Sequence, residues 1–136
     1  MASAPSRVIL VTGASSGIGR ACALHLARRG FHVFASSRQA AGDLAANLRS
    51  ELPGASSLDA LTIDVRVDAS VRDGIAKIQA AVGRLDAVIH CAGYGIGGAV
   101  EDTADDEALA LFETNVFGVL RVCRAALPLL RRQGAG

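Results

Sequence analysis

The chain has 136 residues, room for one domain, and 51% of them are hydrophobic against 20% charged, which excludes a disordered chain and calls for a packed core. Its net charge of +1 offers no electrostatic basis for binding nucleic acid or an anionic membrane surface. No apolar run approaches the roughly 20 residues of a membrane span, and the start lacks the charged and apolar regions of a signal peptide, so a soluble protein is expected.

A β-branched apolar run predicts a first, buried strand over residues 7–12. It breaks at Gly13, and Gly17 and Gly19 follow as a helix begins that extends over 17–29 and stops at Gly30. A second strand is expected over 32–36. A second helix follows over 40–51, with Leu44 and Leu48 at i, i+4 spacing, and Pro53-Gly54 breaks it. A third strand fits 58–64. From Asp68, the stripe Val71, Ile75, Ile78 and Val82 predicts a third helix. Residues 85–91 read as a fourth strand that buries His90, and 93–98 as a glycine-rich loop. A long amphipathic helix over 105–132 should bury Leu109, Phe112, Val116, Val119, Cys123, Leu127 and Leu130, with Pro128 kinking its last turns. Cys22, Cys91 and Cys123 form no Cys-x-x-Cys pair, which suggests neither zinc nor a disulfide framework and fits free thiols in a reducing cytoplasm.

Strands alternating with helices predict an α/β, doubly wound parallel sheet of Rossmann type, with right-handed crossovers and strand order 3-2-1-4. The chain changes direction across the sheet between strands 1 and 4, so a crevice should open above their carboxyl ends. The glycine loops at 13–19 and 93–98 flank that crevice. A strand, a tight glycine turn and a helix start form the arrangement that cradles a dinucleotide pyrophosphate on backbone amides. No lysine follows the glycines, which excludes a P-loop. An NAD site wants a carboxylate at the end of strand 2. Ser36-Ser37-Arg38 offers none, and Arg38 supplies a planar cation suited to a 2′-phosphate, which favours NADP over NAD; the plainer alternative is a solvated loop arginine.

Thr12-Gly13-Ala14-Ser15-Ser16-Gly17-Ile18-Gly19 resembles the cofactor fingerprint of the short-chain dehydrogenase/reductase family, and later segments of the chain match in register. The resemblance implies that Gly13, Ser15, Ser16, Gly17, Ile18 and Gly19 bind the cofactor and that Asp64 and Val65 meet its adenine. His90-Cys91-Ala92-Gly93 is similar to the family's Asn-Asn-Ala-Gly segment. There the resemblance assigns Ala92 and Gly93 to the nicotinamide side, whereas Cys91 cannot make the sheet-tying hydrogen bonds of an asparagine. Asn115 in Thr114-Asn-Val-Phe-Gly118 matches the helix asparagine whose backbone carbonyl serves the catalytic lysine through a water.

The family's Ser and Tyr-x-x-x-Lys are expected after residue 136, because Tyr94 and Lys77 are the only tyrosine and lysine and have the wrong order and spacing. Residues 1–136 are therefore expected to be a partial dinucleotide-binding domain, inactive alone. The intact protein is expected to be a cytoplasmic homo-oligomeric oxidoreductase acting on a small alcohol or carbonyl substrate. Its motifs look most like members that act on hydroxysteroids, retinol or related alcohols. The alternative is a nucleotide-binding sensor or regulator that keeps the fold without the chemistry.

Overall fold

A computed structural model describes residues 7–54 and 57–134; the expectation about a leader falls on residues 1–6, outside that set. Four strands, β1 (Val8–Thr12), β2 (His32–Ser37), β3 (Leu58–Thr62) and β4 (Ala87–His90), form one parallel sheet in the order β3-β2-β1-β4. Three helices link them: α1 (Gly17–Arg28), α2 (Ala41–Glu51) and α3 (Asp68–Val82). The expected doubly wound order is therefore present. Strands 3 and 4 are shorter than their apolar runs, so Asp64 and Cys91 lie in the loops beyond the strand ends.

β1 is buried along its whole length, as expected of a central parallel strand. Its side chains alternate between two cores. Val8 and Leu10 join Phe34, Ile75, Ile78, Val122 and Leu129 on one face. Ile9 and Val11 join Val33, Leu24, Leu44 and Leu48 on the other. The register sets Leu10 beside both Phe34 and Val88. At the amino end of β1, the Asp86 carboxylate accepts the Val8 N–H at 2.7 Å, and Arg84 donates to the same carboxylate. At its carboxyl end, Thr12 Oγ1 accepts the N–H groups of Cys91 and Ala92, each at 3.2 Å. The threonine thus ties β1 to the end of β4, the bond for which Cys91 has no side-chain group.

The long terminal helix is not continuous α-helix. It comprises α4 (Asp105–Phe112), a π-helical turn (Glu113–Phe117) and α5 (Gly118–Gln133), which runs through Pro128. Its inward face also differs from the expected stripe. Gly118, Val122, Ala126 and Leu129 are buried, one residue back from Val119, Cys123, Leu127 and Leu130. The reason is size. A Cβ on Gly118 would stand 2.7 Å from Val65 Cγ2, so the helix meets the loop after β3 on a residue without a side chain. Leu109, Phe112, Val116, Phe117, Leu120 and Leu127 are left exposed. The expected burial of His90 also fails: among the described residues β4 pairs with β1 alone, and His90 is exposed at its end.

Candidate functional site

A cleft of about 560 Å³ opens across the carboxyl ends of all four strands. Gly13, Ser15, Ser16, Gly17, Ile18 and Gly19 line it from the β1–α1 turn, and Ser37 and Arg38 from the end of β2. Ile63, Asp64, Val65 and Arg66 follow β3; Cys91, Ala92, Gly93 and Tyr94 follow β4; Thr114 reaches in from the π-helical turn. Parallel crossovers bring every strand end to one side, so residues as far apart in the chain as Gly13 and Thr114 meet here. Every residue assigned to cofactor binding from the sequence lines this cleft, and Asn115 does not.

Close approach makes the glycine turn obligatory. Gly13 has φ +67°, and a Cβ there would lie 2.6 Å from both the Ala92 nitrogen and the Cys91 carbonyl carbon. A Cβ on Gly19 would lie 2.3 Å from the Gly13 oxygen. Turn, helix and the end of β4 therefore pack backbone to backbone, where any side chain would wedge them apart. No side chain caps the start of α1 at Ser16, so the first-turn amides and the positive end of the helix dipole stand at the cleft.

Asp64 is the only acid among the described lining residues. Arg66 holds it twofold: Oδ1 accepts from Arg66 Nε at 3.0 Å and Oδ2 from its terminal nitrogen at 2.7 Å, while the Arg66 backbone N–H donates to Oδ1 at 3.0 Å. These bonds hold the Asp64 carboxyl below the usual carboxylate range against the opposing effect of burial, and the nearby Arg38 charge adds to them. Both lone pairs of Oδ1 are thereby used, and Oδ2 keeps one for a donor in the cleft. Arg66 was not anticipated. The Asp-x-Arg spacing was the available signal, but a two-residue separation in a loop says nothing of where side chains point.

Asn115 lies outside the cleft lining and acts on the cleft's wall. Its Oδ1 accepts the Tyr94 N–H at 3.1 Å and its Nδ2 donates to the Tyr94 carbonyl at 2.8 Å. A Cβ on Gly93 would come 3.0 Å from Oδ1. One side chain thus pins the glycine-rich loop to the helix by both backbone groups of a single residue. Tyr94 lines the cleft half-exposed, whereas Lys77 lies on the outer face of α3. The His90 ring nitrogen lies 3.6 Å from Cys123 Sγ, and lost hydration pushes the His90 pKa below its ordinary value. Among the described residues, no cluster of three or more His, Cys, Asp or Glu could hold a metal, and no helix is long and apolar enough to cross a membrane.

The model of the short chain dehydrogenase family matches residues 7–136. A 3-ketodihydrosphingosine reductase of Bacteroides thetaiotaomicron is 35% identical over 130 residues, covering 96% of this chain and 44% of the relative. The human 17-beta-hydroxysteroid dehydrogenase type 1 is 35% identical over 134 residues, covering 95% of this chain and 40% of the relative. A crystal structure of an actinorhodin polyketide ketoreductase variant with NADPH superposes with a TM-score of 0.88 at 34% identity, over 100% of this chain and 52% of that one. The chain spans about half the length of the proteins it matches.

Proposed function

The chain belongs to the short-chain dehydrogenase family, and from that premise we propose that the intact protein transfers a hydride between NADP(H) and an alcohol or carbonyl carbon. The observation that carries the reading is the backbone cradle at Gly13 and Gly19, where added Cβ atoms would collide at 2.6 and 2.3 Å, set at an uncapped helix start in a cleft that also presents Arg38 and Asp64. That donor set fits a dinucleotide phosphate. Backbone amides from Gly13 to Gly19 and the hydroxyls of Ser15 and Ser16 would take the pyrophosphate, with Ile18 beside it. Arg38 would take the 2′-phosphate, which a guanidinium binds in a planar, bidentate manner. Asp64 would accept from the adenine amine and the Val65 N–H would meet the ring, with Arg66 holding the acid ionised and oriented. Ala92 and Gly93 would face the nicotinamide side, on a loop that Asn115 keeps in place.

When bound, the nicotinamide supplies or accepts the hydride. The residues of this chain bind and orient it and shield it from water. Proton transfer to the substrate oxygen would fall, in the intact protein, to the family's Ser and Tyr-x-x-x-Lys. In the intact protein, Asn115 would serve that lysine through its backbone carbonyl, as the family resemblance implies. The names of the relatives, a 3-ketodihydrosphingosine reductase and a 17-beta-hydroxysteroid dehydrogenase among them, support a ketone or secondary alcohol as substrate. Exposed Phe112, Val116 and Leu120 support a homo-oligomer, and free thiols support a cytoplasmic setting.

The test is a hydride-transfer assay on the full-length protein. NADPH consumption is followed with a panel of ketones, and product formation is confirmed by mass spectrometry. Turnover that a Gly13→Val substitution abolishes, in a protein that still folds, is the expected result. Tight NADPH binding with no turnover of any ketone or alcohol would leave a dinucleotide-binding protein without this chemistry.

A further inference from the structure

Cys91 follows β4 directly and lines the cleft, where it packs against the first turn of α1: a Cβ on Gly19 would stand 3.0 Å from its Cβ. Cys22 lies three residues after Gly19 on the same face of α1. Helical Cα–Cβ bonds lean toward the amino terminus, so the Cys22 thiol is carried back over Gly19, where Cys91 stands. Both side chains pack against the same apolar cluster, and the Cys22 thiol is near enough to help push the Cys91 pKa up. Both are free and half-buried. We propose that Cys22 and Cys91 close to a reversible disulfide beneath the glycine turn, and that closing it weakens NADP(H) binding. The second half of the proposal rests on the cofactor reading above; the first does not.

The backbones that carry the two cysteines leave no slack. Gly13 already abuts the Cys91 carbonyl and Gly19 abuts the Gly13 oxygen, each too close for a methyl group. An S–S bond of about 2.05 Å is much shorter than a non-bonded sulfur contact, so closure draws α1 against Cys91 and displaces the turn between them. The reaction needs an oxidant of the peroxide class. One thiolate attacks a peroxide oxygen, the O–O bond breaks, and water leaves a sulfenic acid. The second thiolate then attacks that sulfur, forming S–S and breaking S–O, with release of a second water. Two thiols are oxidised and the peroxide is reduced to two waters. Burial, and next the Cys22 thiol, push the Cys91 thiol up, so closure accelerates as the pH rises, and a dithiol is required to reopen the bond.

The experiment treats the full-length protein with stoichiometric hydrogen peroxide, digests it without reduction, and titrates NADPH before oxidation, after it, and after dithiothreitol. The expected result is a Cys22–Cys91 cross-linked peptide, about tenfold weaker NADPH binding, and full recovery on reduction. Cys22→Ser should bind NADPH as reduced wild type does and ignore peroxide. Cys123→Ser, with its thiol on α5 beside His90, should respond like wild type. A reduced protein that binds NADPH but yields no such cross-link overturns the proposal and leaves the cofactor reading intact. A cross-link with unchanged affinity overturns the coupling. Reduced wild type that fails to bind NADPH overturns the cofactor reading and the coupling together, while the digest still decides the pairing.

Discussion

Gly118 shows how one absent methyl sets the seat of a helix. Its Cα faces Val65, and a Cβ would approach Val65 Cγ2 to 2.7 Å and Cβ to 3.1 Å, so Gly118→Ala must lift α5 or shift the loop that carries Asp64. Overpacking of this kind costs about 1–3 kcal/mol, against a gain of about 1 kcal/mol in helix propensity. We expect a net fall in Tm; an unchanged or higher Tm would show that Val65 yields freely. Asp86 offers a test by pH. The Arg84 guanidinium above all, then the Val8 N–H, hold its carboxyl below the ordinary range despite burial. Its folded pKa lies below the unfolded value of about 3.9, so its stabilisation is complete above that pH and is lost as pH falls through the folded pKa. Asp86→Asn should cost about 1 kcal/mol near pH 7, given partly exposed Arg84, and flatten the acid limb of stability against pH. An acid limb as steep as in wild type would mean that other carboxylates govern it. At this scale the sequence is legible where a motif fixes spacing, as at Gly13, Gly19 and Asp64. It is silent where a pair depends on side-chain direction, as in the grip of Arg66 on Asp64.

The segment from α4 through α5 was the element least faithfully read. Its helical character and extent follow from apolar periodicity, and its acidic start and basic end suit the helix dipole. Its buried face does not follow. Periodicity favours the largest apolar side chains, whereas the sheet accepts Gly118 and Ala126 because small residues allow close approach. The π-helical turn at Glu113–Phe117 was equally invisible, since no residue type marks it. Asn115 sits in that turn and reaches both backbone groups of Tyr94. Removing that clamp by Asn115→Ala should raise the hydrogen-exchange rate of the Tyr94 amide about fivefold to tenfold, corresponding to roughly 1 kcal/mol of local stability. Amides of the β1 core should exchange as before. Unchanged protection at Tyr94 would mean that the loop holds itself.

Across the molecule, the strand order β3-β2-β1-β4 was readable because right-handed crossovers leave few alternatives, and the same rule gathers the loops into one cleft. The same order makes β4 an edge, so that exposure was readable too, whereas the exposure of Phe112, Val116, Leu120 and Leu127 was not, since apolar runs look alike whether or not a partner covers them. Residues 1–136 expressed alone should therefore self-associate, which sedimentation over a concentration series would show; a monomer at every concentration would contradict this. The central claim is that the cleft takes a 2′-phosphorylated dinucleotide with Arg38 on the phosphate. Its most direct test is equilibrium titration of the full-length protein, wild type and Arg38→Ala, with NADPH and with NADH. Wild type should prefer NADPH, and Arg38→Ala should lose about 10- to 100-fold for NADPH with little change for NADH. Equal losses for both cofactors, or a wild type that prefers NADH, would contradict it.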